Sequence, residues 1–91
     1  MAYKLLYKKQ AIEDAKRLQQ YEPQAFKKLL KLESELKVHP QSGTGHPEKL
    51  KGFDGNRWSR RISQKHRLVY DIQDTEVTVV VLMAFGHYDD K

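Results

Sequence analysis

The sequence predicts an α+β fold: a small, mostly antiparallel β-sheet with an N-terminal two-helix hairpin packed on one face, in the order β-α-α-β-β-β. Three observations predict it. Two stretches of helical periodicity lie between Gln10 and Pro40 and are joined by only a few residues. One Gly- and Pro-rich loop, "HPQSGTGHP" from His39 to Pro47, separates them from the C-terminal half of the chain. Beyond that loop come β-patterned runs linked by short polar turns.

Each element has its own reason. "YKLLY", Tyr3 to Tyr7, reads as a short strand. From Gln10 to Gln20 the apolar positions Ala11, Ile12, Ala15 and Leu18 recur at helical spacing. Pro23 suits the first turn of a second helix, where its missing N–H is not needed. Phe26, Leu29, Leu30, Leu32 and Leu36 then form an apolar stripe on a helix expected to end near His39–Pro40. "RWSRRIS" and "HRLVYDI" read as strands joined by a turn near "SQK", with a further turn at "QDTE". "VTVVVLMAF", Val77 to Phe85, is apolar on both faces and is expected to be a central strand.

Size and composition fit one domain spanning residues 1–91. No run of about 18 apolar residues offers a membrane span, and the polar N-terminus lacks the features of a signal peptide. With no cysteine, disulfides and thiolate metal sites are excluded, and a cytoplasmic setting is expected. The net charge is +5, unevenly spread. Residues 46–67 hold seven Lys or Arg against two Asp or Glu, whereas residues 68–91 hold one against five. A basic centre points to a polyanion, or to an acidic protein partner.

Strand alternation says which cations share a face. Trp58 and Ile62 point to one side of their strand, with Ser59, Arg61 and Ser63 on the other. Leu68, Tyr70 and Ile72 share a side, with Arg67, Val69 and Asp71 opposite. If the apolar sets face the helices, Arg61 and Arg67 project from the same uncovered face. Arg60, in phase with Trp58 and Ile62, is expected near an edge with its head in water. Two readings of Arg61 and Arg67 stand at this point. They protect an edge or pair with acids such as Asp71, or they form an anion site, since planar guanidinium forks suit phosphate oxygens. "GTGHPE" lacks the glycine count and the Lys-Ser/Thr of a phosphate-binding P-loop. His39 and His46 have no ligand-like spacing, so no metal or other cofactor is expected. His66 falls on the core-facing side and reads as structural.

"GTGHPEKLKG", "WSRRISQKHRLVY" and the late "HY" together resemble the YoeB/Txe toxins of the RelE superfamily. The family pattern, roughly G-x-G-x-P-E-x-L-K, W-S-R-R-I, H-R-L-V-Y and a closing H-Y, is matched block by block from Gly43 to Tyr88. The resemblance implies a RelE-like fold and a bacterial type II toxin–antitoxin component. Such toxins are ribosome-dependent, metal-independent endoribonucleases that cut A-site mRNA. An acidic antitoxin, YefM- or Phd-like, silences them, and operator DNA is met only through the antitoxin complex. A homodimer is compatible with the family, and no membrane partner is implied.

The resemblance also assigns roles. Glu48 stands at the place of the proposed general base, and Arg67 at that of an arginine stabilising the scissile phosphate. His87 takes the place of the proposed general acid. Lys51, Arg61 and Tyr88 match phosphate- or RNA-contacting positions. The chemistry suits the residue types, because RNA carries its own nucleophile in the 2′-OH. One group must take that proton, another must protonate the 5′ leaving oxygen, and fixed cations must hold the phosphorane charge. Asp89, Asp90 and Lys91 follow the His-Tyr pair, where the family pattern usually closes, and two carboxylates there disfavour an approaching phosphate. The rival functions are a ParE-like gyrase-directed toxin, a non-catalytic RNA- or ribosome-binding module, and a decayed toxin that only binds its antitoxin.

Overall fold

Pro23 divides the helical half of the chain. A proline disfavours helical geometry in the residue before it, and Glu22 leaves the helix with φ −141° and ψ 74°. The first helix, α1 (Lys9–Tyr21), ends there, and α2 (Pro23–Leu36) begins with the proline in its first turn. In this structure, a computed structural model, residues 2–52 and 55–86 are described.

Both helices bury one face. Ala11, Asp14 and Leu18 of α1 are buried, as are Ala25, Leu29, Leu32 and Leu36 of α2. Each buried leucine contributes roughly 1.5–3 kcal/mol by leaving water. Ile12 and Leu30, expected in the stripes, are 44% and 49% exposed, and the acidic Asp14 takes a core-facing place instead. α2 stops at Leu36, short of His39–Pro40, and its end is capped by N–H groups of Val38 and His39 bonding to Glu35 O.

The sheet has five strands: β1 (Lys4–Tyr7), β2 (Glu48–Lys49), β3 (Arg57–Arg61), β4 (Arg67–Gln73) and β5 (Thr78–Met83), in the order β1-β5-β4-β3-β2. The expected α+β class and its mostly antiparallel sheet are present, with one addition. The two-residue β2 pairs antiparallel with β3, Glu48 opposite Ser59 and Lys49 opposite Trp58. β1 pairs parallel with β5, Lys4 opposite Thr78, so β5 is an interior strand as its two apolar faces required.

Leu68, Tyr70, Ile72, Val79 and Val81 pack with the helical leucines in one core cluster, and Trp58 packs against it. A register irregularity between Val69 and Tyr70 lets Val69 face Met83 and Tyr70 face Val81. The extra residue on β5 shifts its alternation, which brings Ala84 into the same core as Val79 and Val81. Among the described residues no helix is long and apolar enough to cross a membrane.

Arg60 corrects the sequence expectation. It is completely buried. Its five guanidinium N–H donors go to Tyr70 Oη at 3.1 Å, Glu35 Oε1 at 2.8 Å, and the carbonyls of His39, Ser42 and Thr44. Alternation placed it correctly on the helix side. A charge on that side is tolerable only when every donor is paired, and the loop after α2 supplies the acceptors. Tyr70 Oη in turn donates to Pro40 O at 2.8 Å. Glu35 is held below its ordinary carboxyl value, first by the Thr44 hydroxyl, against the opposing effect of burial, and then by Thr44 N–H and Arg60.

Candidate functional site

The loop that Arg60 gathers leads directly into β2. Gly45 crosses β3 so closely that Arg61 N–H donates to Gly45 O at 2.6 Å. A Cβ there would lie 2.8 Å from Arg61 O, and φ is +86°, so this position requires glycine. The chain then turns through His46, at φ 53°, and Pro47 into Glu48. A residue before proline normally avoids that left-handed region, so the loop is strained where it meets the cleft.

Glu48 faces Ser59, and Arg61 faces Arg67. Cross-strand partners point to the same side of a sheet, and Ser59 and Arg61 are two residues apart, so all three charged groups emerge from the face opposite the helices. Directly paired residues lie about 4.5–5.5 Å apart and diagonal ones about 7–8 Å. That brings the two guanidinium stems side by side, with Glu48 diagonal to Arg61. An open cleft of about 340 Å³ is lined by His46, Pro47, Glu48, Arg61 and Arg67.

The alternatives left open for the arginines are now separable. Asp71 is bound by Arg57, with Nε at 2.7 Å and Nη2 at 3.0 Å, and not by Arg61 or Arg67. Among the described residues neither Arg61 nor Arg67 has a carboxylate at ion-pair distance. Like charges facing each other across a ladder are destabilising. Such a pair is favourable once an anion lies between them.

Of the residues named from sequence, Glu48, Arg61 and Arg67 come together here. Lys51 is exposed at the bend after β2 and does not line the cleft. His87 and Tyr88 lie outside the described residues, as does the Asp89-Asp90-Lys91 extension. His46 is a lining residue that sequence reasoning passed over. The available signal was its position two residues before Glu48, but only the metal question was asked of it.

The approach to His87 is described as far as Gly86. β5 pairing ends at Met83, yet the next three residues are all held. Asp14 Oδ2 accepts Ala84 N–H at 3.0 Å, and Gln10 donates to the other Asp14 oxygen at 2.8 Å. The Arg17 guanidinium lies 4.0 Å over the Phe85 ring. Arg67 N–H donates to Gly86 O at 3.0 Å, and Gly86 N–H donates to His66 Nδ1 at 2.8 Å.

The two-layer α+β fold with a cationic cleft on its open sheet face is shared with solved small toxins of bacterial toxin–antitoxin systems. Residues 7–88 match the family model described as YoeB-like toxin of bacterial type II toxin–antitoxin system, and the chain belongs to that family. It is 45% identical over 62 residues to Toxin YoeB of Mycobacterium bovis, covering 68% of this chain and 71% of the relative. The structure of a YoeB dimer from Staphylococcus aureus superposes with a TM-score of 0.82 at 33% identity, covering 97% of this chain and all of that one. A heterotetrameric YoeB–YefM toxin–antitoxin complex from the same organism gives 0.79 at 32% identity over the same coverage.

Proposed function

We propose that this toxin is a ribosome-dependent, metal-independent mRNA endoribonuclease that cleaves A-site mRNA in the bacterial cytoplasm and so stops translation. The observation that carries the reading is the pair of guanidinium groups, Arg61 and Arg67, facing each other beside Glu48 in one open cleft, with no carboxylate at ion-pair distance among the described residues. The Glu48 carboxylate takes the proton of the 2′-OH. The freed oxygen attacks phosphorus, and the P–O5′ bond breaks as a 2′,3′-cyclic phosphate forms. His87 gives its proton to the departing 5′ oxygen. Arg61 and Arg67, the fixed cations of the cleft, hold the charge of the phosphorane. Lys51 and Tyr88 contact the RNA. No step in this route requires a metal.

Sequence and structural kinship with a YoeB solved together with YefM supports an acidic antitoxin of that kind as the partner here. It would compete with RNA for the same cations, and operator DNA would be reached through that complex. Self-association is part of the same proposal, given the dimer of the Staphylococcus aureus relative.

The test is a purified translation reaction on a defined mRNA, with 3′ ends mapped with and without ribosomes. Wild type is compared with His87→Ala and Glu48→Gln. The expected result is ribosome-dependent cuts in A-site codons, ending in cyclic phosphate and largely lost in both variants. Arrest with intact mRNA would replace the nuclease by an occupancy module, and intact translation would turn attention to gyrase. Cleavage retained only in Glu48→Gln would remove Glu48 as the base.

A further inference from the structure

A buried neutral imidazole has one nitrogen to donate and one to accept, and His66, 3% exposed, has both committed to identifiable partners. Nδ1 accepts the Gly86 N–H at 2.8 Å, and Nε2 lies 2.6 Å from Glu22 Oε2. Because an N–H points at Nδ1, that nitrogen carries no proton. The ring proton therefore sits on Nε2 and is donated to Glu22, a tautomer fixed by the network. The Glu22 carboxylate is available because Pro23 ejects its residue from the helix. The Phe85 ring lies against the imidazole, centroids 4.3 Å apart. The next residue of the chain, Arg67, donates its N–H to the Gly86 carbonyl. Both main-chain polar groups of Gly86 are thus taken by the consecutive residues His66 and Arg67, where β5 pairing no longer supplies partners.

We infer that the Glu22–His66 pair is a positioning device for RNA cleavage: it sets the main chain at Gly86, from which His87 follows, in register with Arg67. The inference rests on the reading of His87 as the general acid. His66 touches no reacting atom and is a positioning residue. Its ring joins the helix junction to the cleft strand and to the segment that delivers the acid. Arg67 belongs to both halves of this arrangement. Its guanidinium lines the cleft while its N–H holds Gly86, so one residue ties the phosphate site to the entry of the acid.

The two nitrogens can be separated by substitution. His66→Asn places an amide oxygen near Nδ1, keeps the acceptor for Gly86 N–H and abandons Glu22. His66→Gln reaches toward Glu22 and leaves Gly86 N–H unpaired. A purely structural role would make both variants lose stability and cleavage alike. The experiment measures single-turnover cleavage of ribosome-bound mRNA against toxin concentration, with urea denaturation of each variant alongside. Positioning predicts that His66→Gln lowers the maximal rate by roughly 10–100-fold, the cost of about an ångström of misplacement, with half-saturation unchanged. His66→Asn should stay within a few-fold of wild type.

Equal rates in the two variants, or a change confined to half-saturation, would overturn the inference. If neither variant folds, Glu22→Ala and Glu22→Gln decide it from a partly exposed side chain. The alanine should slow the maximal step and the glutamine, which still accepts from Nε2, should restore it, whereas no slowing in Glu22→Ala overturns the orienting role. His87→Ala in the same assay separates the layers. An active His87→Ala sinks the functional reading, whereas an inactive one beside a full-rate His66→Gln sinks positioning alone.

Discussion

Arg60 and Arg61 are adjacent and chemically identical, and the fold gives them opposite work. Arg60 is enclosed with all five donors paired, and Arg61 is exposed in the cleft with no carboxylate at ion-pair distance among the described residues. Period-two alternation was enough to place them on opposite faces. It could not supply the partners of Arg60, which come from residues 35–44 and from Tyr70, far away in sequence. Arg60→Ala leaves buried acceptors orphaned and should lower unfolding free energy by about 3–5 kcal/mol, read by urea denaturation. A loss under about 1 kcal/mol would mean the network is dispensable. Glu35 adds a pH dependence of known sign. Its folded carboxyl titrates below the ordinary value of 4.5, so its contribution is complete above that value and fades as pH falls through the folded one. The stability advantage of wild type over Glu35→Gln should therefore shrink on acidification below 4.5. An advantage that widened instead would reverse the assignment.

Among the elements, those with a period were legible and those made by tertiary contact were not. The two helices, the β3–β4 hairpin and the interior β5 follow from spacing, Pro23 and apolar runs. β2 has only Glu48 and Lys49, neither a strand former, and exists because Gly45 docks on β3 and Leu50 N–H reaches Arg57 O at 2.8 Å. The cleft therefore depends on a loop that no periodicity announces. Gly45→Ala tests this. A side chain in left-handed geometry costs roughly 1–2 kcal/mol, and the new Cβ also meets Arg61 O. Gly52→Ala, at φ +85° with open space around it, incurs only the backbone term. Gly45→Ala should be the less stable of the two in urea and should lose most of its RNA cleavage. Full cleavage by Gly45→Ala would mean that Glu48 does not need this docking.

At the scale of the molecule, charge was the most readable property and the least specific. The net +5 and its central concentration pointed to an anionic partner, and family motifs rather than charge suggested the roles of Glu48 and His87. Electrostatic binding carries a measurable signature. Each phosphate contact releases counterions, so Arg61→Ala should reduce the slope of log affinity against log salt by about one in ribosome-binding titrations. An unchanged slope would place Arg61 off the RNA.

The parallel pairing of β1 with β5 has a consequence for the toxin as it is being made. Lys4 has no strand beside it until Thr78 exists, and Arg67 N–H has no carbonyl to hold until Gly86 exists. A nascent chain that has passed β4 but not β5 holds every cleft residue named in the described structure, on a sheet that has not closed. On the proposed function, the sheet that carries the cleft is complete only when residues 78–86, its last strand and the segment that follows, have been made.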